Sequence, residues 1–420
     1  MSTAIKLEQT TEQFLEHFED ILKKAVERRA SDIHLKSGLP AVVRVNGQLY
    51  YLGDDGTDNP PRLSSHTLSG FAKLLMTAPQ ALRYEEGEEI DCSYEMSGLG
   101  RFRINICQQK GNTRIVVRHI PDSIKSIDEL GLPSVLRDLC AHKHGLILVT
   151  GSTGSGKSTT LAAMIDHIAR NRSCHILTIE DPIEFSLKDR KSVVTQREVG
   201  LDTKSFSRAL KYALRQDPDV ILIGEMRDEE TIQMALTAAE TGHLVLSTLH
   251  TNNATETINR ILGTVPTGSI DNVRLQLATV LLGVVSQRLI KKANGKGMIA
   301  ATEILVSNAR TKELISDPHR TSELSKVIAT SGNLGMQSFD QCLLKLVQSK
   351  QISKEEAFNH CTNVQDFQLL YDGVSGGQIT PAGGADEKVI SRKDRIKEVL
   401  SSPRDLDQVI ELDIPKKKKE

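Results

Sequence analysis

Between residues 144 and 165 the chain runs from an apolar stretch, through a glycine-rich turn, into a second apolar-periodic stretch, and few folds accept that order. The turn, Gly151-Ser152-Thr153-Gly154-Ser155-Gly156-Lys157-Ser158-Thr159, places Gly, four free positions and then Gly-Lys-Ser, the spacing of a phosphate-binding loop. His144 to Thr150 predicts a short buried strand leading in, and Thr160 to Ile165 the helix leading out. Glycines let the backbone wrap around phosphate, so that freed N–H groups and the positive helix end face the same anion. Lys157 is placed to reach the β- and γ-phosphates and the Ser158 hydroxyl to ligate Mg²⁺. A Gly/Ser-rich turn before a helix is the plainer reading, but the strand-loop-helix context favours a nucleoside triphosphate site spanning Gly151 to Thr159.

The rest of the chain says what surrounds that loop. At 420 residues it is long for one core, and two or three domains are expected. Lys and Arg number 53 against 54 Asp and Glu, so no global field recruits nucleic acid. Cys92, Cys107, Cys140, Cys174, Cys342 and Cys361 form no Cys-x-x-Cys pair. That argues against a zinc ribbon and fits buried thiols in a reducing cytoplasm. Early acidic residues (Glu8, Glu12, Glu16, Glu19) stand where a signal peptide needs an apolar core, and the most apolar run, Leu277–Val285, is far short of a membrane span.

Residues 1–119 predict a small α+β domain. An amphipathic helix over Thr10–Arg29 is followed by a hairpin around Asn46-Gly47, a polar loop over Asp54–Pro61 and a helix over His66–Met76. Alternating strands follow at 90–96, 101–106 and 113–119. Residues 120–133, with Pro121, Asp122, Gly131 and Pro133, read as a linker. From 134 to 371 the texture is parallel α/β, with strands at 145–150, 175–179, 219–223 and 243–249, helices at 205–216 and 228–242, and mostly helix beyond Ala254. Residues 372–420 read as a flexible charged tail, with a glycine-rich stretch, a short charged helix over Lys388–Leu400 and a solvated run Lys416–Lys419.

Hydrolysis needs a metal and an oriented water beyond the loop. Two predicted strands end in acids, Glu180-Asp181-Pro182-Ile183-Glu184 and Gly224-Glu225-Met226-Arg227-Asp228, and a third ends in His250. Ligands of such sheets bind outside the carboxyl ends of the strands. Glu225 is therefore the candidate for the Mg²⁺ shell, Glu180 for water activation and His250 for a phosphate contact. Glu184 and Asp228 read equally well as acids favoured at a helix start, and His243 as a packing residue.

Together the glycine-rich loop, Thr178-Ile179-Glu180-Asp181-Pro182-Ile183-Glu184, Gly224-Glu225-Met226-Arg227-Asp228, Thr241-Gly242-His243 and Ser247-Thr248-Leu249-His250-Thr251-Asn252 resemble the secretion-superfamily ATPases. Within that superfamily the chain resembles the type IV pilus retraction (twitching motility) ATPases of the PilT/PilU group, from Ser31-Asp32-Ile33-His34 to about Leu370. The resemblance implies a hexameric ring of PAS-like N-terminal and RecA-like C-terminal domains with ATP at their junction. It implies Glu180 as the catalytic glutamate, Glu225 on Mg²⁺, His250 at the γ-phosphate, and Arg103 and Arg118 reaching phosphate from the N-terminal domain. Read without the family, those arginines are outward-facing strand positions. The resemblance further implies a cytoplasmic place at the inner-membrane base of the pilus and force passed to an inner-membrane platform protein. Absence of a four-cysteine insertion favours retraction over extension or type II secretion. Ala309-Arg310-Thr311-Lys312-Glu313-Leu314-Ile315 keeps only part of the PilT-type motif, and with Gly332-Asn333-Leu334-Gly335-Met336-Gln337-Ser338-Phe339-Asp340 and an extended tail it resembles PilU, an accessory to a PilT-type motor. An extension or secretion ATPase, or a regulatory ring subunit with little turnover, are the alternatives. A nucleic-acid translocase is disfavoured by neutral charge and by the lack of interleaved aromatic and basic residues.

Overall fold

A computed structural model describes residues 10–45, 47–53, 60–120 and 123–373. Asn46, most of the 54–61 loop, Pro121-Asp122 and the tail from 374, including Lys388–Leu400 and Lys416–Lys419, lie outside the described residues. The described residues through Gln368 pack as one compact unit; of a second unit that begins at Leu369, residues 369–373 are described.

The first helix, Thr11–Glu27, starts at a capping box in which Thr10 and Gln13 bond reciprocally, and it buries Phe14, Phe18, Ile21, Leu22 and Ala25. Six strands follow: β1 (Asp32–Lys36), β2 (Val42–Val45), β3 (Gln48–Tyr51), β4 (Ile90–Met96), β5 (Gly100–Gln109) and β6 (Asn112–Ile120). They pair antiparallel in the order β3-β2-β1-β6-β5-β4. Strand alternation sends Phe102, Ile104 and Ile106 of β5 into a core shared with Phe18 and Phe71, which leaves Arg101 and Arg103 on the other face. A helix at Ala78–Glu85 had no counterpart in the sequence reading.

The second sheet contains β7 (Gly145–Thr150), β8 (His175–Glu180), β9 (Val193–Glu198), β10 (Val220–Ile223), β11 (Leu244–Leu249), β12 (Leu281–Lys291) and β13 (Met298–Val306). Its order is β13-β12-β7-β11-β10-β8-β9, parallel throughout except for the β12–β13 hairpin. Helices cover both faces: Val135–Cys140 and Lys157–Asn171 on one core, Phe206–Ala213, Glu229–Glu240 and Ile270–Val280 on the other. This is an α/β RecA-like core beside an α+β N-terminal part, with helices from Ala309 to Tyr371.

The expectation of helix from Ala254 onward is corrected at β12 and β13, which complete the sheet on the far side of β7. The cause is local. The apolar run Leu277–Val285 contains both the end of helix Ile270–Val280 and the start of β12, and a short apolar run carries no period that separates the two.

Candidate active site

Strand β7 is wholly buried and delivers its carboxyl end to the glycine-rich loop, whose Gly156 caps helix Lys157–Asn171 in a left-handed conformation at φ +91°. Gly151, at φ +146°, is required by its neighbours as well. A Cβ there would overlap the Gln287 carbonyl oxygen and come within 2.5 Å of Ser155 Oγ. The loop is shaped from outside by β12: Gln287 Nε2 donates to the Ser155 carbonyl (2.8 Å) and Gln287 Oε1 accepts from Thr160 Oγ1 (2.8 Å). Lys157 is buried and donates from Nζ to the carbonyls of Gly151 (2.8 Å) and Ser152 (3.0 Å). Burial lowers its pKa, while Glu225 and Glu184 favour its charged form.

Glu180 closes β8, and its Oε1 accepts from Thr178 Oγ1 (2.6 Å) and Gln196 Nε2 (3.0 Å). Burial pushes its carboxyl above the ordinary range against the pull of those two donors. The loop after β10 is held by both neighbouring strands. Gly224 N donates to the Ile179 carbonyl (2.8 Å), Thr248 Oγ1 to the Gly224 carbonyl (2.7 Å) and Met226 N to the Thr248 carbonyl (3.2 Å). Glu225, thus fixed, pairs with Arg227 and stands 3.6 Å from His250 Nε2. Burial and the charge of Lys157 lower the pKa of His250, with Glu225 opposing, so its imidazole is neutral at pH 7.

These groups line one cleft of about 560 Å³. Thr153, Gly154, Gly156, Lys157, Ser158 and Thr159 form its floor, Glu180, Glu184, Glu225, Arg227 and His250 its wall, and Arg118 of β6 reaches it from the other sheet. Gly151, Ser152 and Ser155 shape the loop from behind, and the last two face a neighbouring cavity with Gln287. Arg118 also pairs with Asp32 at 2.9 Å. Arg103 is in register with Arg118 on β5 but does not line the cleft. Asp228 is an N-cap, accepting from Thr231 N at 2.9 Å, and His243 bonds the Ala238 carbonyl through Nδ1 at 2.9 Å.

Three contributors were not read from the sequence: Arg227, Gln196 and Gln287. The polar trio Ser286-Gln287-Arg288 inside an otherwise apolar run was the available signal for the last. Among the described residues no group of three His, Cys, Asp or Glu side chains gathers as a metal site. One hydroxyl, Ser158, and one carboxylate, Glu225, suit Mg²⁺, which keeps several ligands from water and from a bound phosphate. The glycine turn, the helix N-terminus and Lys157 suit the phosphates themselves.

Residues 8–316 match the family described as Type II/IV secretion system protein. The type IV pilus retractation ATPase PilT of Pseudomonas aeruginosa is 44% identical over 338 residues, covering 80% of this chain and 96% of that protein. The type IV pilus ATPase PilU of the same organism is 38% identical over 353 residues, 84% of this chain and 91% of that protein. Overall identity runs higher to PilT than to PilU, while the leaning towards PilU was drawn from residues 309–315, 332–340 and the tail. Among solved structures, the pilus retraction motor PilT with bound ADP superposes with a TM-score of 0.75 at 45% identity, over 82% of this chain and 97% of that one. The ATPase DotB of Legionella pneumophila gives 0.65 at 27%, over 86% and 95%. By the extent of these matches, the chain belongs to the Type II/IV secretion system protein family, among its PilT/PilU type IV pilus ATPases.

Proposed function

We propose that this chain is an ATP-hydrolysing motor subunit that powers type IV pilus retraction. The observation that carries the reading is the cleft in which the glycine-rich loop, Glu180, Glu225 and His250 meet a cation from the other sheet, Arg118. ATP is the substrate, its phosphates taken by Gly151–Thr159 and by the Lys157 ammonium. Ser158 and Glu225 would hold Mg²⁺, which would supply positive charge against the phosphates. Glu180, with its pKa lifted by burial, accepts a proton from the attacking water. Neutral His250 donates a hydrogen bond towards the terminal phosphate, and Arg118 adds positive charge from outside the loop's own fold. Arg103, one strand further from the cleft, supplements Arg118 when the two parts close.

Residues 1–119 and 134–371 act as two domains that close on nucleotide, with 120–133 as the hinge. The working assembly is a homohexamer at the inner-membrane base of the pilus, acting on a platform protein there. It works alone or beside a PilT-type paralogue. No nucleic acid enters the cycle, in keeping with 53 basic against 54 acidic residues.

Two measurements test this. The full chain with Mg²⁺ and ATP should release phosphate, and Lys157→Ala should abolish that release; full activity in the variant overturns the site. Deleting the gene should leave cells carrying excess pili that do not retract. Loss of pili would assign the motor to extension instead.

A further inference from the structure

We infer that Gln196 and Glu198, both on the edge strand β9, are positioning residues for Glu180, and that through Arg101 they tie Glu180 to the N-terminal sheet. The inference rests on the reading of Glu180 as the base.

Strand β9 lies parallel to β8 with Thr178 opposite Gln196 and Glu180 opposite Glu198. Every polar atom of the Gln196 side chain is engaged. Its Nε2 donates to Glu180 Oε1 (3.0 Å) and to the Phe185 carbonyl (3.0 Å), while its Oε1 accepts from Leu187 N (2.8 Å). Thr178 Oγ1 meets the same glutamate oxygen, so β8 and β9 together set the orientation of the carboxylate. Two residues further along, Glu198 Oε2 accepts from Ile183 N (3.3 Å). The segment that follows Glu180 therefore hangs from β9 at Ile183, Phe185 and Leu187.

Among the described residues no strand lies beyond β9 in its sheet, so one side of it must be steadied by something else. Arg101 of β5 supplies this, donating from Nη2 to Glu198 Oε2 at 2.7 Å and to Ser93 Oγ at 3.0 Å. Their side chains are only 19% and 10% exposed. Removing Arg101 would leave Glu198 a nearly buried carboxylate without its cation, a costly arrangement that the strand relieves by shifting. Such a shift moves Ile183 and, through Gln196, the glutamate oxygen. Rotation of the N-terminal sheet and readiness of the base are in this way mechanically linked.

The test is ATP hydrolysis by the full chain with Mg²⁺, measured as kcat and KM across pH, with Glu180→Gln in the same series. Gln196→Met should lower kcat by up to about 100-fold at little change in KM, as expected for a displaced reacting group. It should also move the acid limb of kcat to higher pH, because the carboxylate loses a donor that favours its charged form. If Gln196→Met does not fold, Gln196→Asn keeps the amide, loses the reach and carries the same expectation. Arg101→Gln and Glu198→Gln should each lower kcat, and the double variant should be no worse than the poorer single one. An acid limb that stays in place, or losses that multiply in the double variant, overturns the inference. Wild-type turnover by Glu180→Gln would instead overturn the reading of Glu180 as base, and the inference with it.

Discussion

Replacing Glu180 by Gln separates chemistry from folding at this site. Thr178 Oγ1 and Gln196 Nε2 both donate to Oε1, and the carbonyl of a glutamine can accept both bonds in place. The fold and the nucleotide cleft should therefore persist while the proton acceptor is lost. Removing a general base lowers turnover by about 100- to 10,000-fold, equivalent to about 3–5 kcal/mol of barrier. The assay is phosphate release by the full chain with Mg²⁺, beside binding of a fluorescent ATP analogue to show that the cleft still fills. Stability moves the other way. Burial raises the Glu180 pKa above its ordinary 4.5, so the folded state holds the proton more tightly than the unfolded chain does. That contribution is fully present below the unfolded value and is lost as pH rises through the folded one. Glu180→Gln has no such loss, so its melting temperature should gain on the wild type as pH rises through that window. Undiminished turnover, or a variant whose melting temperature fails to gain on the wild type as pH rises, refutes the reasoning.

Three further outcomes are expected. Gly151→Ala forces a methyl group against the Gln287 carbonyl and Ser155, which should cost about 1–3 kcal/mol of stability and weaken ATP binding; calorimetry on the variant checks both. Arg118→Ala should lower hydrolysis more than Arg103→Ala, since only Arg118 lines the cleft. Because the Arg118 side chain is 66% exposed, loss of its pair with Asp32 should cost no more than about 1 kcal/mol on denaturant unfolding. His250 should titrate below its ordinary 6.5 by NMR, and Lys157→Met should raise that value by removing a neighbouring positive charge; titration at or above 6.5 in the wild type contradicts the cleft's electrostatics.

The parts legible in the sequence were those whose spacing alone carries the physics. Gly151 to Thr159 needs no partner to be recognised, and Glu180, Glu225 and His250 each close a run of only four to six residues, too short for a helix and bounded by turn residues. Strand β9 was invisible because Thr195, Gln196, Arg197 and Glu198 give a polar run, and their purpose appears only beside β8. Arg101 alternates with Arg103 on the same face of β5, and nothing local separates the two. Its partner Glu198 lies 97 positions away, and no local pattern encodes such a contact. The β12 strand was lost to an apolar run that changes from helix to strand at Leu281.

Gln287 has a consequence for the order in which the molecule becomes competent. Its side chain bridges Ser155 and Thr160, its carbonyl occupies the space that a side chain at Gly151 would need, and the adjacent Ser286 shares a hydrogen bond with Thr150 at 2.8 Å. The phosphate-binding loop is thus moulded by residues synthesised more than a hundred positions later. While the chain emerges from the ribosome, β7 and its loop must wait for β12 to arrive and pair before the cradle takes its final shape. A nascent chain halted before residue 281 would present every residue of the nucleotide motif and lack the strand that gives the motif its form.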